Sequence, residues 1–170
     1  MKPVADRPKP KRLVTWIATV FGLGEVAPWP GHYGTMVTVP LALLLHRLGP
    51  IPHLLGTLFL FAIGTWAAEH YSEQTGKHDH RAIIIDEVVG YLVTVWLAPW
   101  HFLSFFWGFF LFRVLDGLKP GPLRLLDRHV KGGFGVMIDD VGAGVVGALI
   151  LHWLVPWTAP VFDAMLKRLW

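Results

Sequence analysis

The sequence predicts an all-α fold, a multi-span membrane helical bundle with about four or five hydrophobic helices. Three observations carry that expectation. Apolar residues make up 54% of the 170 residues and charged ones only 16%, far from the balance of an average soluble domain. Several apolar runs of helix length are separated by Gly, Pro and short polar stretches. Two pairs of acids also sit against such runs: Asp86-Glu87 lies within Ala82 to Pro99, and Asp139-Asp140 heads Val141 to Trp157. A carboxylate near a bilayer core costs roughly 2.5–3.5 kcal/mol on insertion scales, so acids kept there call for compensating partners.

Taken in order, Met1–Arg12 holds Lys2, Arg7, Lys9, Lys11 and Arg12 among three prolines and reads as a flexible basic tail. Leu13–Leu23 is apolar and, behind that tail, mimics a signal peptide. It leads into Gly24-Glu25 and Pro28-Trp29-Pro30 without a small-x-small cleavage site, so an interfacial helix is expected. Gly22–Gly34 has enough breakers to predict a loop. Apolar helices are then expected at Thr35–Leu48, Leu54–Ala68, Ile83–Pro99, His101–Leu115 and Ile138–Trp157. Gly49-Pro50-Ile51-Pro52, the polar stretch Glu69–Arg81, the turn Ala98–His101 and the basic stretch Arg113–Gly133 separate them. Thr158–Trp170 reads as a tail with a short amphipathic helix, which leaves residues 13–157 as one membrane domain. Some of these runs span only about 14–17 residues, short of the ~20 that cross a bilayer at ordinary thickness.

Orientation follows from the basic segments. Met1–Arg12, Glu69–Arg81 and Arg113–Gly133 hold most of the Lys and Arg, whereas Gly49–His53 and Pro99–His101 hold none. The positive-inside rule puts the first three in the cytoplasm. Both acidic pairs then fall at the cytoplasmic ends of their helices, which predicts a cytoplasmic-face active site. Ala143 with Gly147, and Gly144 with Ala148, place small residues four apart in the last helix. That spacing lets helix backbones approach closely in lipid and would pin Asp139 and Asp140 against the helix that begins at Asp86.

Asp86, Glu87, Asp139 and Asp140 suit a hard cation such as Mg²⁺, which takes carboxylate oxygens together with water and phosphate. The same residues also read as ordinary acids at helix N-termini, where negative charge is favoured. A second constellation carries Arg113, Lys119, Arg124, Arg128 and Lys131 against Asp116 and Asp127. Arg113 and Asp116 are three apart and can pair on one helical face. Lys131-Gly132-Gly133 could hold a phosphate on bare backbone N–H groups, or the whole stretch could meet anionic headgroups. His78-Asp79-His80 could serve a metal or a proton relay, or lie in a solvated loop. His46, His53, His101 and His152 fall near span ends and read as interfacial, and the many Trp fit an aromatic belt. The absence of cysteine excludes disulfides and thiolate chemistry. No glycine-rich nucleotide fingerprint occurs, and nothing points to nucleic acid.

These segments together resemble the phosphatidylglycerophosphatase A family of bacterial inner-membrane lipid phosphatases. The resemblance rests on Pro30-Gly31-x-x-Gly34-Thr35, on His78-Asp79-His80 leading to Ile85-Asp86-Glu87-x-x-Gly90, and on Phe112-Arg113-x-x-Asp116-x-x-Lys119-Pro120. It continues through Asp127-Arg128-x-x-Lys131-Gly132-Gly133-x-Gly135-Val136-Met137-Ile138-Asp139-Asp140 and covers roughly residues 20–155. The resemblance implies Mg²⁺-dependent removal of the terminal phosphate of phosphatidylglycerophosphate, giving phosphatidylglycerol, in a multi-pass inner-membrane protein. Asp86, Glu87, Asp139 and Asp140 would be the metal-binding acids, and Arg113, Lys119, Arg128 and Lys131 would bind phosphate. Asp116 and Asp127 would orient them or serve as further ligands. Asp86, Asp139 or Asp140 is the nucleophile if an aspartyl-phosphate forms, and otherwise water attacks. The family usually has Thr after Pro-Gly where this chain has His32, so if that hydroxyl touches phosphate, His32 would have to substitute or the contact is missing. A cation or proton transporter that uses the same carboxylates is the alternative. The oligomeric state is not legible.

Overall fold

The computed structural model describes residues 11–77, 79–118 and 130–169. Among the described residues there are seven helices and no strand: α1 Arg12–Ala18, α2 Leu23–Val26, α3 Pro30–Leu48, α4 Pro50–Thr75, α5 Ile85–Val95, α6 Phe102–Leu118 and α7 Gly132–Leu169. The last five run alternately up and down. At one end the start of α3 meets α5 and α6, since a Cβ on Gly31 would collide with Glu87 and lie 2.8 Å from an Arg113 nitrogen. At that same end the Gly133 N–H at the start of α7 donates to the Glu69 carboxylate of α4. At the other end Trp96 Nε1 donates to the Pro50 carbonyl at 2.8 Å, and His101 lies 3.2 Å from Asp163.

Several boundaries differ from the sequence expectation, each for a physical reason. Pro30 and Pro50 sit in the first turns of α3 and α4, where the missing N–H costs nothing and the fixed φ favours a helix. The Gly/Pro-rich stretch 22–34 is therefore not a loop throughout: it contains α2 and the first turn of α3. Helix α4 runs on through the polar residues after Ala68 and stops at Gly76, whose left-handed φ of 73° ends the helix. Helix α7 continues through Pro156 and Pro160 to Leu169 without a separate C-terminal helix. Its extension is tied back to α6 by His101–Asp163 and by Phe162, whose ring stacks at 6.1 Å on Phe102.

The expected Leu13–Leu23 helix breaks after Ala18. Val20, Phe21 and Gly22 all carry positive φ, so the chain reverses there. This reversal lets α1 and α2 grip the segment that leads into α5. The Ile84 N–H donates to the Ala18 carbonyl at 2.9 Å, and a Cβ on Gly24 would collide with the Ala82 carbonyl. Ala82 and Ile84 are spent on that grip, and α5 begins only at Ile85. With eleven residues it is about 16 Å long, and nine of the eleven are buried.

Helix α5 packs most extensively on α7. The contact is closest where two glycines meet: a Cβ on Gly144 would collide with the Gly90 carbonyl, and one on Gly90 would lie 2.8 Å from the Asp140 carbonyl. The predicted small-residue approach is thus the main seam of the bundle. His53 is fully buried and its Nε2 bonds the Leu92 carbonyl at 3.1 Å, which joins α4 to α5.

Outside the bundle, large apolar side chains face outward, among them Phe59 at 64% exposure, Leu149 at 64% and Trp153 at 73%. Helices α4 and α7 are long and apolar enough to cross a membrane. An apolar exterior around buried carboxylates is consistent with a membrane protein.

Candidate active site

The helix ends that meet at one end of the bundle enclose a cavity of about 260 Å³. Pro30 and Gly31 of α3 form one wall, and Asp79, Arg81 and Ile83 come from the connection before α5. Asp86 and Glu87 enter from the first turn of α5, Arg113 and Asp116 from the end of α6, and Asp139 and Asp140 from α7. Gly31 is required by this arrangement, because any side chain there would displace Glu87 and Arg113.

The two acidic pairs, 52 residues apart in sequence, are therefore neighbours across the α5–α7 seam. Asp86 is 7% exposed, Asp139 6% and Asp140 4%. Asp139 and Asp140 do not sit at a helix N-terminus as the sequence suggests. Helix α7 begins at Gly132, about two turns earlier, and the helix-end partial charge fades within the first turn. The reading of these two as ordinary N-terminal acids fails for that reason, whereas Asp86 and Glu87 do occupy the first turn of α5.

Oxygens of Asp86, Glu87 and Asp140 all lie within 4.8 Å of one another. Asp86 Oδ1, Glu87 Oε2 and Asp140 Oδ2 are buried and accept no hydrogen bond among the described residues. Buried acceptors left in this state are costly and need an explanation. One hard cation fits all three, since such ions take several oxygen ligands from one or two carboxylates and from water or phosphate. Asp139 lines the same cavity but is not part of this set.

Arg113 is the basic counterpart. Its Nη1 lies 3.0 Å from Asp116 Oδ2 on its own helix and 3.9 Å from Glu87 Oε1. The predicted three-residue pair is thus present and also reaches across to α5. Even so, two arginines face six carboxylates in the cavity.

The other sequence candidates divide. Asp79 lines the cavity, while His80 turns away: it accepts the Ala82 N–H at 3.2 Å and meets the Tyr71 ring at 5.6 Å. Lys131 and His32 are exposed, and neither lines the cavity. In the expected phosphate nest at Lys131-Gly132-Gly133, the Gly133 N–H is donated to the Glu69 carboxylate. His78, Lys119, Arg124, Asp127 and Arg128 lie outside the described residues. The sequence reading missed Arg81, which it placed at the end of a basic loop. Arg81 lies two residues before Ile83, at the start of the apolar run that carries Asp86, and that was the available signal. Carboxylates gathered in one cavity do not favour the transporter reading, which needs them along a path.

Comparison with known proteins gives the family. The sequence model of the family Phosphatidylglycerophosphatase A matches residues 16–155. Phosphatidylglycerophosphatase A of Escherichia coli (strain K12) is 36% identical over 141 residues, 81% of this chain and 81% of that protein. That of Haemophilus influenzae is 35% identical over 145 residues, 83% of this chain and 88% of its own. A Bacteroides thetaiotaomicron protein with the provisional name phosphatidylinositol-3-phosphatase is 33% identical, over 86% of this chain and 98% of its own. No solved structure matches the chain significantly. The chain belongs to the phosphatidylglycerophosphatase A family.

Proposed function

We propose that this phosphatase hydrolyses the terminal phosphate of phosphatidylglycerophosphate to give phosphatidylglycerol and inorganic phosphate, and that it does so with Mg²⁺. The observation that carries the metal is the set of three buried carboxylate oxygens on Asp86, Glu87 and Asp140 without a hydrogen-bond partner among the described residues. The six carboxylates and two arginines that line the cavity among the described residues repel an anionic phosphate until a cation offsets the excess.

Asp86, Glu87 and Asp140 hold the ion, with Asp139 available beside them. When bound, Mg²⁺ supplies Lewis-acid polarisation of the phosphoryl oxygens and offsets their developing charge. Catalysis of phosphoryl transfer is mostly positioning and electrostatics, and the protein's own groups serve both. Arg113, held in place by Asp116, presents its guanidinium to the phosphate. Gly31 keeps that face of the cavity open. In the net reaction a bond forms between a water oxygen and phosphorus, the bond to the glycerol oxygen breaks, and that oxygen takes up a proton. Asp86, Asp139 and Asp140 are the carboxylates placed to attack first if the route is covalent.

The up-down order of α3 to α7 suits five passes of an inner membrane. Helix α5 is a short pass enclosed by its neighbours, and the site faces the cytoplasm, the side to which the positive-inside rule assigns the basic segments. The acyl chains stay in the bilayer while the headgroup reaches the cavity.

Phosphate release from phosphatidylglycerophosphate in detergent micelles tests the proposal, with Mg²⁺ or EDTA and with Asp86→Asn and Asp140→Asn. The expected result is Mg²⁺-dependent release that falls about 10²-fold or more in both variants. No release from folded protein under any divalent ion would overturn it.

A further inference from the structure

Among the described residues two arginines line the cavity, and they are differently placed. Arg113 sits among the buried acids with its side chain 15% exposed, and its charge is engaged by Asp116 and Glu87. Arg81 is exposed, lines the same cavity beside Asp79 and Ile83, and forms no ion pair with a described carboxylate. Its backbone is nonetheless well held. Ala82, Ile83 and Ile84 behind it are 3%, 3% and 0% exposed, and the Ile84 N–H is bonded to α1. An uncommitted guanidinium on an anchored segment, at the open side of an acid-lined cavity, is a ready acceptor of a second anionic group.

The substrate of the proposed reaction has such a group. Phosphatidylglycerophosphate carries a terminal phosphomonoester and, three glycerol carbons away, the phosphodiester that leads to the acylated glycerol. If the monoester lies against Arg113 and the acids, the diester comes to lie towards the mouth of the cavity. A volume of about 260 Å³ is just under the ~300–1,000 Å³ of drug-sized pockets, enough for a headgroup but not for the acyl chains. We propose that Arg81 is a specificity-determining residue that binds this internal phosphodiester and so separates a two-phosphate lipid from lipids that carry a phosphomonoester alone. The inference rests on the function proposed above and deepens it.

The geometry fits the chemistry of the two side chains. A guanidinium pairs with two phosphate oxygens at once and stays charged at every working pH. A diester carries one negative charge, which one arginine matches. The monoester carries more charge and falls where the metal-binding acids and Arg113 are. Nothing in the reacting bond depends on Arg81, so its loss should weaken binding rather than chemistry.

The test compares wild type, Arg81→Gln and Arg81→Lys on phosphatidylglycerophosphate and on phosphatidic acid, with Mg²⁺, in the same micelles. Where phosphatidic acid is not turned over, its inhibition constant against phosphatidylglycerophosphate is read instead. Arg81→Gln is expected to raise KM for phosphatidylglycerophosphate roughly tenfold or more with kcat nearly unchanged. The value for phosphatidic acid should not move, and Arg81→Lys should recover part of the loss. An equal effect on both lipids, or none on either, would overturn the inference while wild-type activity kept the proposed function standing. Wild-type protein inactive on phosphatidylglycerophosphate would overturn both.

Discussion

Replacing Gly144 with Ala should damage catalysis far more than stability. The added Cβ would fall on the Gly90 carbonyl oxygen and lie 3.0 Å from Val93 Cβ. The first obstacle is backbone, so no rotamer change relieves it, and α5 and α7 must part by something on the order of 1 Å to restore normal contact distances. Overpacking of this kind costs ~1–3 kcal/mol, while Ala in place of a helical Gly returns about 1 kcal/mol. The net loss is then ~0–2 kcal/mol, a fall in Tm of a few degrees at this chain length. Asp86 precedes Gly90 by four residues and Asp140 precedes Gly144 by four, one helical turn in each case. The displacement therefore reaches both halves of the acid set almost undiminished, and a misplacement of about 1 Å can cost roughly 10²-fold in rate. Thermal unfolding and phosphate release in one detergent read the two effects side by side. Gly117→Ala is the control, because nothing lies within 4 Å of its Cβ position; it should leave both readings near wild type. A Gly144→Ala protein with wild-type Tm and wild-type rate would refute the claim that the glycine seam sets the site.

Two further predictions concern single side chains. Arg113→Lys keeps the charge but loses the planar guanidinium that can pair with two phosphate oxygens at once, so kcat should drop about 10²-fold with little change in Tm; an unchanged kcat would remove Arg113 from the phosphate site. The His80 imidazole is held below its ordinary range first by burial and then by Lys77 and Arg81, against the opposing pull of Glu25 and Asp79. Its neutral form accepts the Ala82 N–H, so it contributes stability above the usual histidine value of ~6.5 that is lost as pH falls through the lowered one. The fall in Tm from about pH 7.5 to about pH 5 should therefore be smaller in His80→Gln than in wild type, and equal slopes would contradict this.

Much of the site was legible because its signals are local in sequence. Carboxylates in apolar runs stand out on transfer cost alone, small residues four apart announce a close helix contact, and Arg113 with Asp116 obeys helical spacing. What was not legible depends on partners distant in the chain. Glu69 is separated by 64 positions from the Gly133 N–H it accepts, so the loop before α7 looked free for phosphate. His53 and the Leu92 carbonyl it bonds stand 39 positions apart, beyond the reach of any local pattern. Prolines misled in a different way: the same residue that ends a helix can begin one, and Pro30 and Pro50 lie on the starting side. Arg81 was hidden by its membership of a basic stretch, since composition does not tell which one of several cations faces a cavity.

The central claim is that Asp86, Glu87 and Asp140 share one divalent cation. Mn²⁺, as a paramagnetic substitute for Mg²⁺, tests it by electron paramagnetic resonance of the purified protein in detergent, independently of turnover. Wild-type protein is expected to bind Mn²⁺ saturably, with the ion displaced by Mg²⁺ and the binding lost in both Asp86→Asn and Asp140→Asn. No bound Mn²⁺, or binding unaltered in both variants, would contradict it.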